Sequence, residues 1–595
     1  MRSRPDPPSP SMALVAITTV ALLVRLIGLG ARVAHQDEAR VASWILHYMA
    51  VNAWEYRPII HGPFLPHVNA VIFNLFGPSD FTMRLIVAVV GGLLPLSAWL
   101  FRDRLRDRTV LFLGTLLAFN PVLVYYSRFM RNDVLLGAFA FVTFGLLVRA
   151  IDTGRRRYLL GAGIAFGLAL TTKENALLYP VTWAGALALL LDRRLHLARY
   201  REGDWKGALK RAITSTLGAL WSVRYAIVAG LIALATIAVA FYAPKPDLYR
   251  ALVHPAGLPR VLEAATLGTW EKFVDLWGST GMQTHSYVAF LGHLLLVVAV
   301  GGLTTAVFAA IGFLGDRYRS AGPRDLVGFA FFWGLASLLG YPVVSDIPAG
   351  WTAVHVLIPL TIPAAVGLRY VFDRALVALR RNHTRTAAVA IALLLGAGTV
   401  LAGSGVAINA VYPADARNPV VQYAQPAGDM KPTLETIKSV AADHEGIDVM
   451  FYGEEFSNPT DLESEPTLDI ESGGYPGWFD RLPLPWYLER YNATVGSTTS
   501  PRTIETYDPP VVITLREDAS EIEAQLEGYR TVVHQGYLYG RPIVFFIKVQ
   551  AGNPAVHKTE GLVGSKDAKR LSNGDETLRL VRTPEREAFW GRGGT

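Results

Sequence analysis

Between two strongly apolar segments, residues 12–30 and 81–100, the chain packs Asp37, Glu38, Arg40, Glu55, Arg57, His61 and His67 into one connection. Carboxylates, imidazoles and guanidiniums gathered in one place can move a proton, hold a cation or clamp a phosphate. Two further polar turns carry the same residue types. Arg128-Phe-Met-Arg131-Asn-Asp133 follows Tyr125-Tyr126, and Thr172-Lys173-Glu174-Asn175 interrupts two apolar runs. His285, Asp346, Trp351 and His355 fall in other turns of this kind. Each group has a plainer reading. Asp37-Glu38 and Asp133 can cap helices, Lys173 and Glu174 can pair with each other, and a lone histidine beside a span is more often a satisfied packing residue than a ligand. The chain has no cysteine, which excludes disulfides, thiolate metal sites and cysteine nucleophiles. It has no Walker A loop, no HExxH and no nucleotide fingerprint set between a strand and a helix.

The elements that must position these groups are membrane helices. Of the 595 residues, 51% are hydrophobic and only 18% charged, against about 25% charge in a soluble globule. Runs of about 20 apolar residues, enough to cross a bilayer, predict spans near 12–30, 81–101, 109–126, 133–150, 158–172, 175–192, 223–242, 287–313, 325–344, 355–372 and 387–409. The first is preceded by Arg2 and Arg4 but not followed by a small-residue cleavage motif, so it reads as a retained span. The connections 102–108, 149–157, 193–211, 316–324 and 374–385 are rich in Arg and Lys and fall at alternate turns. They mark the cytoplasmic face. Connections 31–80, 127–132, 171–175, 243–286 and 341–354, and everything after 409, then lie outside, with the N-terminus in.

Charge divides the chain in the same way. Residues 1–409 hold 38 Lys+Arg against 21 Asp+Glu, a net of +17, and residues 410–595 hold 18 against 28, a net of −10. Topology thus explains the basic excess, and no nucleic-acid partner is expected. Residues 1–409 form the membrane domain, with 31–80 and 243–286 as its large outer loops. In the first of these, 38–54 has the pattern of an amphipathic helix lying on the membrane; in the second, 257–278 is helical, with Trp270 and Trp277 suited to the interface. Residues 410–550 read as an extracytoplasmic α/β domain. Helices at 431–443 and 519–527 alternate with strands at 447–453, 510–515, 528–534 and 541–549, and 453–509 reads as long surface loops. A polar tail, 551–595, follows.

Two arginines in the second outer turn run against the positive-inside trend and suggest an anion. Lys173 and Glu174 interrupt apolar spans at the same face, where charge is expensive and usually functional. A site at the membrane surface without soluble-enzyme signatures points to a lipid-borne substrate.

Three motifs carry a family resemblance over about residues 12–375. Asp37-Glu38-Ala-Arg40 after the first span resembles the Asp-Glu-x-Arg motif of the GT-C membrane glycosyltransferases, among them the protein O-mannosyltransferases and the lipid A aminoarabinose transferases. His61-Gly62-Pro63-Phe64-Leu65 is similar to their His/Lys-Pro-Pro-Leu motif, with Gly62 where a proline is usual. Tyr126-Ser127-Arg128 through Asp133 resembles their second acidic turn. More narrowly, the chain is similar to an archaeal flippase-activity-associated family of surface glycoprotein assembly. The Trp-Trp-Asp motif of oligosaccharyltransferases is absent, so transfer of a whole glycan to asparagine is not expected.

The resemblance implies a GT-C-like bundle of about eleven spans and an inverting transfer of one sugar from a polyprenyl (dolichyl-type) phosphate to a lipid-linked glycan or a surface protein. It implies catalytic roles for Asp37, as general base, and Glu38. Arg40, Arg128, Arg131 and Lys173 are the candidates to hold the phosphate. Asp133, Glu38 and His61 are candidates to bind a divalent cation (Mg²⁺ or Mn²⁺, with Zn²⁺ admitted by the histidine) or to orient the other groups. His67, Glu174 and His355 are further candidates. The alternative is a non-catalytic protein that binds lipid-linked sugar and assists its translocation, with a flippase as partner.

Overall fold

The structure is a computed structural model and describes residues 9–549, apart from 203, 278–284, 320–321, 346, 416, 422–424, 427, 458–476 and 538–540. Asp346 and the tail 551–595 lie outside the described residues. The chain divides into two compact units, the first within residues 1–423 and the second beginning at 424.

The first unit is helical. Its helices begin α1 (Pro10–Leu26), α2 (Gln36–Val51), α3 (Phe64–Phe76), α4 (Thr82–Leu93), α5 (Asp107–Phe119), α6 (Pro121–Ser127), α7 (Asn132–Thr153), α8 (Arg157–Leu170), α9 (Leu178–Glu202), α10 (Trp205–Ser222) and α11 (Arg224–Tyr242). Among the described residues, seven helical segments are long and apolar enough to cross a membrane: Thr82–Phe101, Asn132–Thr153, Glu174–Tyr200, Arg224–Tyr242, Asp325–Val344, Gly350–Arg380 and Thr384–Val411. Counting each of two bent pairs as one span makes nine, and α1 and α8 are shorter apolar helices. At 1.5 Å per residue, the 22 residues of α7 reach about 33 Å, enough for the hydrocarbon core. The chain is a multi-span membrane protein.

Local sequence places the ends and bends. Gly154, at φ +66°, ends α7 in the left-handed conformation that glycine adopts without strain. Asn120 breaks α5 from α6 at 52°, its Oδ1 accepting the N–H groups of Val122 and Leu123. The single span expected at 287–313 is instead two helices, Tyr287–Gly301 and Leu303–Arg317, bent by 94° at Gly301-Gly302. A methyl group on Gly302 would come within 2.5 Å of the Leu357 side chain, so the bend lets span 350–380 pack against bare backbone. The basic stretch 193–211, expected as a connection, is the end of α9 and the start of α10.

The loop 31–80 folds into α2, a short 3-10 turn (Pro58–Ile60) and α3. α2 begins and ends two to three residues before the expected 38–54. The His61-Gly62-Pro63-Phe64 turn is zipped to the end of α8: Gly62 N–H donates to Thr172 O (3.1 Å) and Phe64 N–H to Thr171 O (2.9 Å). A methyl on Gly62 would lie 2.3 Å from the Thr171 carbonyl oxygen. That approach accounts for glycine at this position.

The second unit holds a five-stranded sheet of β1 (Val449–Tyr452), β2 (Val495–Thr498), β3 (Val511–Leu515), β4 (Tyr529–Tyr537) and β5 (Arg541–Lys548), in the order β2-β1-β3-β5-β4. β1 pairs parallel with β2 and β3, and β5 runs antiparallel to β3 and β4. Met450, Val512, Val544 and Phe546 form its core with Ile504 and Ile522 from the helices. The expected α/β architecture is present. Residues 477–509, expected as surface loops, are structured: short helices at Trp478–Arg481, Leu484–Arg490 and Pro501–Tyr507 flank β2. Val495-Gly-Ser-Thr498 carries only a weak strand pattern and is paired because β1 lies beside it.

Candidate active site

α2 starts with His35 as its N-cap. His35 Nδ1 accepts the Asp37 N–H (2.9 Å), and Glu38 Oε2 accepts the His35 N–H (3.0 Å). This reciprocal cap turns the two adjacent acids to different surroundings.

Glu38 points inward and its side chain is fully buried. Arg84 grips it with two bonds, Nε to Oε1 at 2.7 Å and Nη2 to Oε2 at 2.6 Å. Met130 N–H donates to Oε1 at 2.7 Å, and Arg32 approaches at 3.4 Å. Burial opposes ionisation, but Arg84 and Arg32 outweigh it and hold the carboxyl down at about 2. Glu38 thus ties three segments together: the N-terminus of α2, α4 through Arg84, and the 128–131 turn.

Asp37 points the other way and keeps 17% of its side chain exposed. Arg40 Nη2 lies 3.3 Å from Oδ1, and Arg131 Nη1 bonds Oδ2. Arg131 Nε reaches Asp133 Oδ2 at 3.3 Å, and its guanidinium stacks on Trp351, 3.7 Å from the ring centroid. Asp133 is buried and also receives Lys173 Nζ (3.2 Å) and His355 Nε2 (3.3 Å) on Oδ1. His355 is fixed by Tyr179 OH, 2.6 Å from Nδ1, and by Tyr341 stacked at 4.7 Å. Arg40, Asp37, Arg131, Asp133 and Lys173 therefore form one network of alternating charge, closed by His355. Lys173 and Glu174 do not pair with each other. Glu174 turns to His61 (Nδ1 to Oε2, 3.1 Å) and to Tyr56, whose hydroxyl donates to Oε1 at 2.7 Å. His61 sits at φ +64°, a conformation rare outside glycine and found where surrounding structure imposes it.

The remaining expected residues are placed elsewhere. Arg128 donates to the carbonyls of Val24 (2.8 Å), Arg25 (3.1 Å), Ile27 (2.7 Å) and Gly28 (3.0 Å), capping the end of α1. Burial and the neighbouring Arg32 and Arg84 lower its pKa to about 10, so it stays charged. His67 Nε2 lies 2.9 Å from Phe241 O and packs on Trp54, and His285 Nε2 lies 3.0 Å from Pro342 O. Glu38, His61 and Asp133, candidates to bind a cation or to orient the other groups, lie in three different pairings. Glu38 is taken by Arg84, His61 by Glu174, and Asp133 by Lys173 and Arg131. Among the described residues no three His, Asp or Glu side chains converge as a metal site requires.

Sequence reasoning missed Arg84, Arg32, Tyr56 and Tyr179. Arg84 had a signal, a lone arginine inside an apolar span, where a buried carboxylate partner is the usual reason.

Residues 60–201 match the family model of the dolichyl-phosphate-mannose-protein mannosyltransferases, and residues 430–548 match that of the Agl23 flippase-associated protein C-terminal domain. No curated protein matches the chain. Among solved structures, the chain is similar to ArnT from Cupriavidus metallidurans in the apo state, with 16% identity and a TM-score of 0.53 over 89% of this chain and 97% of that one. The same protein bound to undecaprenyl phosphate gives a TM-score of 0.51 at 16% identity and the same coverage. A weaker likeness, TM-score 0.45 at 13% identity over 91% of this chain and 75% of that one, is to the oligosaccharyltransferase AglB from Archaeoglobus fulgidus in complex with an inhibitory peptide and a dolichol-phosphate. The chain carries the GT-C membrane glycosyltransferase fold. The narrower resemblance, to the flippase-associated family, is borne out by its C-terminal domain.

Proposed function

We propose that this protein transfers one sugar from a polyprenyl phosphate to a hydroxyl of a lipid-linked glycan or surface protein, on the outer face of the membrane. The observation that carries the reading is the single network in which Asp37 and Asp133 alternate with Arg40, Arg131 and Lys173. The acceptor oxygen attacks the anomeric carbon, and the bond from that carbon to the phosphate oxygen breaks with inversion. Asp37 takes the hydroxyl proton. The phosphate leaves with the bonding electrons, and Arg131, Lys173 and Arg40 hold its growing charge. A phosphate on Arg131 competes with Asp37 for the guanidinium, so donor binding frees the Oδ2 that receives the proton. Asp133 and His355 hold the cations in place. Glu38 acts through the loop it ties down, and Arg128 through the end of α1.

The same reading sets the N-terminus in the cytoplasm and the residues after 409 outside, supported by the basic connections and the net −10 of the C-terminal part. Protease added to intact spheroplasts should trim that part; cleavage only after lysis would falsify the orientation.

The match of residues 430–548 to a flippase-associated domain favours a second reading, a helper that binds lipid-linked sugar and assists its translocation. A helper needs the cations but no base. Glycan mass spectrometry of surface proteins after deletion of the gene decides between them. Loss of one defined sugar, restored by wild type but not by Asp37→Asn, supports transfer. Loss of whole glycans, restored equally by both, supports the helper.

A further inference from the structure

We propose that the face of α2 running from Asp37 to His47 is a subsite for the acceptor carbohydrate, with Ser43, Trp44 and His47 receiving sugar hydroxyls. The inference rests on the transferase reading, which gives Asp37 the acceptor proton. At 100° per residue, positions 37, 40, 43, 44 and 47 fall within an arc of about 120°. Four polar atoms on this face are buried without a hydrogen-bond partner: Arg40 Nε, Ser43 Oγ, Trp44 Nε1 and His47 Nε2. Ser43 is 1% exposed and Trp44 6%. Buried polar groups are ordinarily paired, and four unpaired ones on successive turns of one helix leave hydrogen-bonding capacity that a polar ligand would use.

The chemistry of the four selects the ligand. The indole and the guanidinium Nε only donate, while the serine hydroxyl and a neutral imidazole do either. A sugar hydroxyl both donates and accepts, so it serves all four. Burial and the Arg57 guanidinium both lower the His47 pKa, which favours the neutral ring. The indole is held rather than mobile, with Arg57 over its face at 4.5 Å and His47 edge-on at 5.9 Å. The strip also lies where an acceptor must. It starts at Asp37 and runs about 15 Å along α2, whereas the cations assigned to the donor phosphate gather at the helix's N-terminal end, Arg40 and Arg131 on Asp37 and Lys173 beyond them on Asp133. That length suits an oligosaccharide better than a single hydroxyl.

The test uses the full-length protein in nanodiscs saturated with dolichyl phosphate. Saturation-transfer NMR measures binding of methyl α-mannoside, methyl α-glucoside, mannobiose and chitobiose to wild type, Ser43→Ala and Trp44→Phe. At least one saccharide should bind wild type, and each variant should weaken it about two- to tenfold, the effect of one neutral hydrogen bond. Dolichyl phosphate affinity should be unchanged in both variants. Ser43→Ala should not lower the melting temperature of the saccharide-free protein, because the hydroxyl has no partner there to lose. The proposal is overturned if no saccharide binds, if the variants bind as wild type does, or if Ser43→Ala alone destabilises the protein. Failure of wild type to bind dolichyl phosphate would instead count against the donor site, leaving the saccharide arm, run without lipid, to decide this inference.

Discussion

Arg131 lies over Trp351 with its guanidinium carbon 3.7 Å from the indole centroid, and from that fixed plane it reaches Asp37 with Nη1 and Asp133 with Nε. The stack sets the direction of the fork, which charge alone would not. A cation–π contact is worth roughly 0.5–2 kcal/mol, the more the better it is shielded from water. Trp351→Leu keeps apolar bulk but loses the ring face, so dolichyl phosphate affinity should fall about three- to thirtyfold. Arg131→Lys should be nearly as damaging, because it keeps the charge and loses the planar fork. Thermophoresis on the purified variants reads this directly, and unchanged affinity in both removes the stack from the site.

The two arginines of the 128–131 turn should separate. Arg128 spends its guanidinium on four carbonyls at the end of α1, between 2.7 and 3.1 Å away. Hydrogen bonds to a charged group contribute about 1.5–3 kcal/mol. Arg128→Ala is therefore expected to lower the melting temperature while leaving phosphate affinity within about twofold, whereas Arg131→Ala should lower phosphate affinity well beyond that. A large loss of lipid-phosphate binding in Arg128→Ala would return that residue to the clamp.

Glu38 should govern stability at acid pH. Its folded pKa, about 2, lies below its ordinary 4.5. Between those values the unfolded chain binds the proton and the folded chain does not, so stability falls as pH falls. The contribution is complete above about pH 4.5 and lost as pH drops toward 2. Glu38→Gln, which strands the buried Arg84, should cost about 3–5 kcal/mol at neutral pH. The gap between the melting temperatures of wild type and variant should narrow from pH 5 to pH 3. A constant gap would mean that Glu38 is not the titrating group.

Gly62 sits where a side chain has no room, since the nearest neighbour to a methyl there is main chain, the Thr171 carbonyl oxygen at 2.3 Å. Backbone cannot yield as a side-chain tip does. Gly62→Ala should push the His61 turn off Thr171 and Thr172 at about 1–3 kcal/mol, the usual cost of overpacking. Gly62→Pro should cost more, because it also loses the N–H donated to Thr172. Thermal unfolding of both in detergent checks the order.

How much of this was legible follows from what each residue's partners are. The spans could be read because an apolar run of bilayer length has few other uses. The 94° bend could not, because Gly301-Gly302 lies inside such a run and only the packing of span 350–380 exposes it. Arg131, Asp133 and Lys173 stood out as charges in short turns between spans and Asp37 as an acid just after one, and the fold brings them into one network. Arg128 stood out equally, yet its partners are carbonyls about 100 residues away, which no local pattern marks. The cap at Glu38 was legible because it is local, but its Arg84 partner lies 46 residues on and comes from tertiary structure.

The sharpest expectation concerns Asp37. Its side chain is the one carboxylate of the network with substantial exposure, 17% against 1% for Asp133, so among these two it is the one an acceptor can reach. Asparagine matches its size and can still accept hydrogen bonds from Arg40 and Arg131 through its carbonyl oxygen, but it cannot take up the proton. Loss of general-base help typically costs about a hundredfold to ten-thousandfold in rate. Asp37→Asn should therefore leave the melting temperature close to wild type, because Glu38 and His35, which hold the start of α2, are untouched. Dolichyl phosphate should bind as well or somewhat better, since Arg131 no longer divides its charge between the lipid and a carboxylate. Transfer of radiolabelled sugar from polyprenyl phosphate to extracted acceptor in nanodiscs should nearly vanish. Transfer at the wild-type rate would show that Asp37 is not the base. Tight donor binding by both proteins with transfer by neither, across a range of sugars, would instead leave the cation cluster as a lipid-sugar binding site and favour the helper.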